Sequence, residues 1–327
     1  MIHVGIDEAG YGPTLGPLVV SAAAIRVPDA LHAAHAPHVD FWELLSDSVR
    51  RKPQSARVPV NDSKKLYKPG KGLGTLEEGV LPFLLLRDGK LPAHLRELLA
   101  AVMRKRGAEA YLDHYPWYRD RDREIPTNSY RNYLTALGDR LRESFDSYGM
   151  QFLGVVSVPL EVLEFNEILS NHQNKSMVTF EAIGTLLRRV WKTYASESAE
   201  VVVDRQGGRI QYGPLLYQKL NPRGVVIECQ TTEKSVYRLR DRKGAERMAV
   251  TFTKEGDSKS FLVALASMTS KYLRELHMSL FNEYWQEQIG DLKPTAGYPN
   301  DARRFLNEIA TIRGRLGAED RLLIRRR

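Results

Sequence analysis

The first seventeen residues constrain the fold of this chain more than any other stretch. An apolar run from Ile2 to Ile6 ends in two adjacent carboxylates, Asp7 and Glu8, and glycines at positions 10, 12 and 16 precede a second apolar run. This pattern predicts a strand, a turn and a second strand. Because neighbouring side chains on a strand point to opposite faces, the two acids can serve one site only if the strand stops between them. We expect the glycines to provide that break; the alternative is a solvated hairpin end.

Length and composition bound the class of protein. The 327 residues, 43% of them hydrophobic, suffice for one large domain or two ordinary ones. A single cysteine, Cys229, excludes an internal disulfide and is typical of a reducing compartment. No apolar run approaches the roughly 18 residues of a membrane span, and no basic region precedes an apolar stretch at the N-terminus. We therefore expect a cytoplasmic protein that does not enter a membrane.

The net charge of +8 makes a polyanion such as nucleic acid a favoured partner. The chain also has 40 acidic residues, so its surface is mixed in charge. We expect the closing run, Arg325-Arg326-Arg327, to fray. The arginines of a predicted hairpin either line a polyanion groove or belong to a solvated edge ribbon whose charges deter aggregation. These arginines are Arg238, Arg240, Arg242 and Arg247.

Periodicity predicts the remaining elements. Helical spacing predicts helices over residues 91–104, 128–149, 159–169, 176–194 and 258–285, and a final helix from about residue 301. Apolar or β-branched runs predict strands over 150–158, 200–204 and 224–231, and alternation on both sides of residues 241–244 predicts a hairpin. The glycines at 70, 72 and 74 indicate a linker. His32, His35 and His38 fall on a loop or frayed helix and lack the rigid support of a metal site.

The strand that ends in Asp204 repeats the pattern of the strand that ends in Asp7. A strand, helices and another strand imply a crossover that makes the two strands parallel. In such sheets ligands bind beyond the carboxyl ends of the strands, so we expect both acids at one edge. Asp257 stands before a helix, where an isolated acid is most often a cap, as Ser258 could also be.

Four acids thus stand at strand ends or helix starts: Asp7, Glu8, Asp204 and Asp257. Carboxylates gathered in one place repel, and their cluster is tolerable only if cations neutralise it. Oxygen ligands with open coordination positions suit Mg²⁺ or Mn²⁺ better than zinc. The sequence therefore indicates a divalent-cation site made of acids.

Several short blocks, taken in order, resemble the type 2 ribonucleases H (ribonuclease HII). They are Gly5-Ile6-Asp7-Glu8-Ala9-Gly10 with Gly12-Pro13 and Gly16-Pro17, Asn61-Asp62-Ser63-Lys64-Lys65-Leu66, Val202-Val203-Asp204, Gly256-Asp257-Ser258, Ala266-Ser267-Met268 with Lys271, and Gly297-Tyr298-Pro299. Each block alone is weak evidence. The ordered set is the basis of the resemblance.

The resemblance implies a ribonuclease H-like α/β fold, a mixed central sheet flanked by helices. Residues 1–66 and 128–290 would form its core, with 67–127 as an inserted segment, 232–253 as an added β-hairpin and 291–327 as a helical, basic C-terminal part. It implies that the four acids are catalytic and hold two divalent ions. It further implies substrate contacts from a turn near the ribose 2′-hydroxyl, from lysines near the backbone and from a tyrosine at the RNA–DNA junction. These residues are Gly10, Tyr11 and Gly12, then Lys64, Lys65 and Lys271, then Tyr298.

The implied function is a monomeric, metal-dependent endonuclease that hydrolyses the RNA strand or embedded ribonucleotides of RNA/DNA duplexes with two Mg²⁺ or Mn²⁺ ions. The chain departs from the family at Tyr11, where the family has arginine, and at Arg205-Gln206-Gly207, where the family has glycine directly after the acid. Two alternatives remain open. One is a catalytically silent relative that binds nucleic acid, and the other is a ribonuclease H-like nuclease with a DNA or junction substrate.

Overall fold

A seven-stranded mixed sheet forms the centre of the protein. The computed structural model describes residues 1–36, 39–103, 108–194 and 196–326. Strands are β1 Ile2–Ala9, β2 Leu18–Arg26, β3 Val49–Arg50, β4 Val58–Pro59, β5 Gln151–Leu160, β6 Ala199–Asp204, β7 Gly224–Gln230, β8 Lys234–Arg240 and β9 Glu246–Thr253. The order in the large sheet is β5-β2-β1-β6-β9-β8-β7, and β3 pairs with β4 separately.

The middle of the sheet is parallel and its two sides are antiparallel. β1, β6 and β9 run parallel to one another, whereas β2 and β5 continue from β1, and β8 and β7 continue from β9, by antiparallel pairing. The predicted parallel relation between the first strand and strand 200–204 is therefore confirmed. Because the three parallel strands are adjacent, their carboxyl ends meet at one edge of the sheet.

Helices cover both faces of this sheet, as predicted. They are α1 Asp29–Ala34, α2 Phe41–Leu44, α3 Ser63–Leu66, α4 Gly74–Asp88, α5 Leu95–Met103, α6 Arg131–Ser147, α7 Val162–His172, α8 Lys175–Thr193, α9 Gly213–Leu220, α10 Gly256–Lys259, α11 Phe261–Ile289, α12 Pro299–Leu316 and α13 Asp320–Leu323. A 3₁₀ helix spans Ala108–His114. The mixed sheet with flanking helices and a helical C-terminal part matches the fold class expected from the sequence.

Two hydrophobic cores, one on each face, hold these layers together. Ile2, Val4 and Ile6 of β1 pack on one face against α7, α8 and α9. On the other face α11 crosses the sheet and packs with α4, α5 and α6. A Cβ built on Gly5 would lie 2.1 Å from the carbonyl carbon of Leu262, so glycine is required where α11 approaches β1.

Two expectations about local structure need correction. The predicted hairpin exists, but it is not an edge ribbon, because β9 pairs with β6 and β8 is covered by β7. The region interpreted as a linker around Gly72 leads at once into α4, a largely buried helix. Helices α4 and α5 share the hydrophobic core beneath α11. Within the described residues no helix is both long and apolar enough to cross a bilayer.

Candidate active site

Asp7 and Asp204 lie side by side at the carboxyl ends of two parallel strands. β1 and β6 pair in parallel register up to Ile6 and Val203, so the next residue on each strand is the acid. Equivalent positions of neighbouring strands share a sheet face, and both carboxylates therefore start from the same side. β6 continues its pairing with β9 through Asp204 and Thr253. The expected edge carries both acids.

Glu8 reaches the same edge although the strand does not stop before it. β1 stays paired with β2 through Ala9, and the break comes at Gly10, whose φ is 93°. The expectation that the strand ends between Asp7 and Glu8 is therefore wrong. The pairing of β1 with β6 ends at Ile6 and Val203, so Asp7 and Glu8 both lie beyond the last paired position of β1 on that side.

Asp257 arrives from the third parallel strand. After β9 the chain turns through Glu255, which has a positive φ of 56°, into α10, where Asp257 is the second residue. The preceding Gly256 N–H donates a 2.7 Å hydrogen bond to Oδ1 of Asp204. The N-cap positions of α10 and α11 are Glu255 and Ser260, so neither Asp257 nor its neighbour acts as the simple cap considered from the sequence.

Burial and mutual repulsion disfavour the ionised forms of the four acids. Burial, followed by the charges of Glu8 and Asp204, raises the pKa of Asp7 well above its ordinary value. Burial and Asp204 raise the pKa of Glu8 to about 8. Burial, Asp62 and Asp204 raise the pKa of Asp257 to about 6, and burial also raises the pKa of Asp204. A bound cation would offset this repulsion and stabilise the ionised carboxylates.

Asp62 and Lys64, from the start of α3, complete the cluster. Asp62 accepts a 2.8 Å hydrogen bond from the backbone N–H of Lys64 and thereby caps the helix. Burial alone would lower the pKa of Lys64, but the charges of Asp257, Asp62 and the other acids raise it above its ordinary value. Asp62 was not among the residues expected in the site, because an acid before a helix reads as a cap.

The chemistry of the cluster fits Mg²⁺ or Mn²⁺. Oε2 of Glu8 is buried and accepts no hydrogen bond from the described residues, so a cation is the partner it lacks. All four donors are carboxylate oxygens, the type that these hard ions prefer. Elsewhere in the described chain, His3, His32 and Glu200 each offer a ligand atom within 4.8 Å of the other two.

The loop after β1 is held from beneath by Arg325. This side chain is 2% exposed, and its guanidinium donates to the carbonyls of Gly10 at 2.5 Å and Pro13 at 3.5 Å, and to that of Gly16. The backbone N–H of Arg325 also donates to a loop carbonyl, that of residue 14. The expectation that this basic end frays is therefore wrong for residues 325 and 326; Arg327 lies outside the described residues.

A second buried arginine packs against the same loop. A Cβ built on Gly10 would lie 2.8 Å from Cδ of Arg274, which donates a 2.8 Å hydrogen bond to the carbonyl of Ala296. The positive charges of Arg325 and Arg274 both act to lower the pKa of buried Glu161. The two arginines are functional candidates that no local sequence pattern could have revealed, since their partners are distant in the chain.

Tyr11 and Tyr298 flank the glycine loop. Burial and the charge of Glu8 raise the pKa of Tyr11, so this phenol lies near the acids. The ammonium of Lys175 lies 5.2 Å from the Tyr11 ring centroid. Tyr298 is 51% exposed, and a Cβ built on Gly12 would lie 3.5 Å from its Cε1. The loop therefore presents two aromatic rings beside the acid cluster.

The other predicted substrate lysines are placed differently. Lys65 is an exposed residue of α3. Lys271 forms a 2.7 Å ion pair with Glu275 and lies 4.5 Å from the ring centroid of Tyr67. Lys64 lies nearest the cluster by charge, since the acids raise its pKa.

The hairpin arginines are partly neutralised by neighbouring acids. Arg238 bonds to Glu228 and, at 2.6 Å, to Glu246, and Arg247 bonds to Asp241 at 3.0 Å. These pairs belong to the surface of the sheet formed by β7, β8 and β9. Because both arginines are paired with acids, their charges give little support to a polyanion groove along the hairpin.

Comparison with known proteins identifies similarity in structure only. No family model matches the chain, and no curated protein matches it. RNase HII of Archaeoglobus fulgidus, solved with PCNA, is 15% identical, with 100% of this chain and 95% of that chain covered and a TM-score of 0.40. Ribonuclease H2 of Pyrococcus horikoshii is 14% identical, with 99% and 92% covered and a TM-score of 0.43. Bst-RNase HIII with Mn²⁺ is 12% identical, with 94% and 62% covered and a TM-score of 0.37. All three are ribonucleases H, and the motifs of this sequence resemble the type 2 members.

Proposed function

We propose that this protein is a metal-dependent endonuclease that hydrolyses the RNA strand, or embedded ribonucleotides, of RNA/DNA duplexes. One observation carries the proposal: four acids converge at the carboxyl ends of three adjacent parallel strands, with raised pKa values. A buried group of like charges costs free energy unless a cation or a proton compensates it. Divalent ions supply that compensation and the chemistry of phosphodiester hydrolysis together.

The proposed roles follow from position. Asp7, Glu8, Asp204 and Asp257 would together hold two Mg²⁺ or Mn²⁺ ions. The bound ions would activate a water and stabilise the leaving oxygen. No side-chain nucleophile is needed, so the other residues of the site would act by positioning the substrate.

The chain's own groups would position the substrate. Lys64 is close enough to the acids to bind a phosphate there by charge. The loop from Gly10 to Gly12 is held rigidly by Arg325, so its backbone groups can meet the ribose 2′-hydroxyl, the group that distinguishes RNA from DNA. Tyr298 is exposed beside that loop and would stack on a sugar or base. Lys65 and Lys271 would contact the backbone farther from the acids.

A cleavage assay tests the proposal. The purified protein would be incubated with an RNA/DNA hybrid, a duplex with one embedded ribonucleotide, an all-DNA duplex and a branched DNA junction, each with Mg²⁺, with Mn²⁺ or with EDTA. We expect metal-dependent cleavage of an RNA-containing substrate, lost in Asp7→Asn and retained in Asp291→Asn, which removes an exposed acid instead. Binding of these duplexes without any cleavage under either metal would rule out the nuclease and favour a silent binding protein.

The residue at position 11, Tyr11, would influence which kind of duplex the protein cleaves. It occupies the position between two loop glycines where the resembled family has arginine, and its ring lies near Glu8. If only the DNA junction or the all-DNA duplex were cleaved, the protein would be a DNA nuclease with a ribonuclease H-like fold and not a ribonuclease. We further propose that the protein works as a monomer in the cytoplasm, where its single Cys229 stays reduced.

A further inference from the structure

A second group of possible metal ligands lies at the opposite end of β1 from the acids. His3 of β1 and Glu200 of β6 are register partners across the parallel ladder, and His32 of α1 approaches them from the side. One ligand atom from each of the three residues lies within 4.8 Å of the other two. His3 and Asp7 are four positions apart along β1, which is roughly 13 Å at the rise of a strand. The group is therefore distinct from the acid cluster.

The two histidines have ring nitrogens that lack partners. His3 is 7% exposed, and its Nε2, like Nδ1 of His32, is buried without a hydrogen bond to any described residue. The other nitrogen of His3, Nδ1, lies 3.5 Å from Oε2 of Glu200. The two rings are close, with centroids 5.2 Å apart. A buried imidazole nitrogen normally finds a donor, an acceptor or a metal, so the vacancy at Nδ1 of His32 indicates a ligand. Nδ1 of His3, which faces Glu200, is the nitrogen of His3 that would share this ligand.

We propose that His3, His32 and Glu200 bind one zinc ion. Two nitrogens and one carboxylate oxygen form a donor set typical of zinc, with a fourth position left for water. Ligands at about 2.0–2.1 Å in a tetrahedron are about 3.3 Å apart, close to the observed 3.5 Å between Nδ1 of His3 and Oε2 of Glu200. Small rotations of the partly exposed His32 and Glu200 would close the remaining separation.

The ion would fasten α1 to the sheet. No residue of this short helix is fully buried, so packing alone holds it weakly. A bond from His32 through the ion to β1 and β6 supplies the missing attachment. A metal site made of His32, His35 and His38 was not expected from the sequence. His35 is the residue that ends α1, and His38 lies outside the described residues, so His32 takes its partners from the sheet instead.

Zinc titration of the full-length protein tests the site. The Asp7→Asn variant, stripped with EDTA, serves as the starting protein so that the acid cluster contributes less to binding. Calorimetry with ZnCl₂ should give one tight site, and Co²⁺ should give the intense visible absorption of a four-coordinate ion. Zinc should also raise Tm.

Two variants locate the ion without disturbing the buried strand. Glu200→Gln and His32→Ala should each weaken zinc binding at least about tenfold and remove most of the rise in Tm. His172→Ala is the matched control, since His172 also faces a glutamate, Glu181, at 3.3 Å. Stoichiometry of zero, or an affinity unchanged in both variants, would overturn the proposal. Mg²⁺-dependent cleavage is measured separately, so failure of this site leaves the nuclease proposal intact.

Discussion

The backbone N–H of Gly256 donates a hydrogen bond of 2.7 Å to Oδ1 of Asp204. These residues are 52 positions apart, and the bond fixes the carboxylate at the end of β6 against the turn that carries Asp257. Two of the acids are thereby held as a unit before any ion binds. Preorganisation of this kind lowers the cost of assembling the site when substrate arrives.

Gly256→Ala should reduce cleavage more than stability. The added Cβ would lie 3.2 Å from Oδ1 of Asp204, so the carboxylate must shift by a few tenths of an ångström. We expect kcat to fall by about tenfold, because small misplacements at a reacting centre are costly, while the free energy of unfolding changes by less than about 1 kcal/mol. Gly208→Ala, where a Cβ meets nothing within 4 Å, is the control for kinetics and urea unfolding. Equal losses in both variants would contradict a role for the Gly256 contact.

Lys64→Met should affect metal and substrate in opposite directions. The ammonium of Lys64 lowers the pKa of Glu8 and so already offsets part of the charge that the ions would neutralise. Without it, we expect Mg²⁺ to bind about three- to tenfold more tightly, equivalent to roughly 1 kcal/mol, and KM for the duplex to rise because a phosphate contact is lost. Calorimetry and steady-state kinetics measure the two effects. Lys65→Met, a change at the next residue of the same helix, should leave Mg²⁺ affinity unchanged.

Arg325→Ala should loosen the glycine loop. The substitution leaves the carbonyls of Gly10 and Gly16 without their buried donor, and each unsatisfied carbonyl costs about 1–3 kcal/mol. We expect a loss of roughly 3 kcal/mol in the free energy of unfolding and a higher KM for substrates that carry a 2′-hydroxyl. Arg326→Ala is the neighbouring control, because Arg326 donates a hydrogen bond to Oδ1 of Asn166 from its backbone N–H, which alanine keeps. A variant as stable as the parent would exclude this anchoring role.

The stability of the protein should decrease as pH rises because of Glu161. This side chain is 1% exposed, and burial and the charge of Glu164 raise its pKa to about 8, against the opposing effect of Arg325. A carboxyl whose pKa is raised on folding stabilises the protein fully below about 4.5, its unfolded value, and this stabilisation is lost as pH rises through 8.

Glu161→Gln removes that titration. At about 1.4 kcal/mol per pKa unit, we expect the variant to gain roughly 2–4 kcal/mol relative to the parent between pH 5 and pH 9. Urea unfolding with EDTA present, at both pH values, measures the difference. Glu167→Gln, at an exposed position farther along α7, should show no such change. A constant difference between Glu161→Gln and the parent would show that Glu161 keeps the same charge throughout.

The meeting of the acids was predictable because it follows from strand ends. Asp7 and Asp204 each close an apolar run, and parallel pairing of those runs brings their ends together. Asp62 was missed because a capping acid and a site acid look alike in sequence. Helix α4 was missed because it is buried on most sides, so its apolar residues form no stripe and the glycines before it suggest a loop.

Contacts between distant parts of the chain could not be predicted. Gly5 and Leu262 meet because α11 crosses β1, and nothing near either residue specifies the other. The same holds for the pairing of β9 with β6, which moved the hairpin from the periphery to the interior of the sheet. Whether segment 67–127 is an insertion into an older core remains a prediction from the sequence, although its helices now share that core.

The bond between Arg325 and Gly16 joins residues 309 positions apart. Ribosomes make chains from the N-terminus, and early segments begin to fold while later ones are still being added. The loop that follows β1 is therefore synthesised early, but its hydrogen bonds to the Arg325 guanidinium can form only after nearly the whole described chain has been translated. A nascent chain would contain all four acids of the cluster before this loop is held in place. The proposed substrate contacts of the loop would therefore form only after residue 325 has been synthesised.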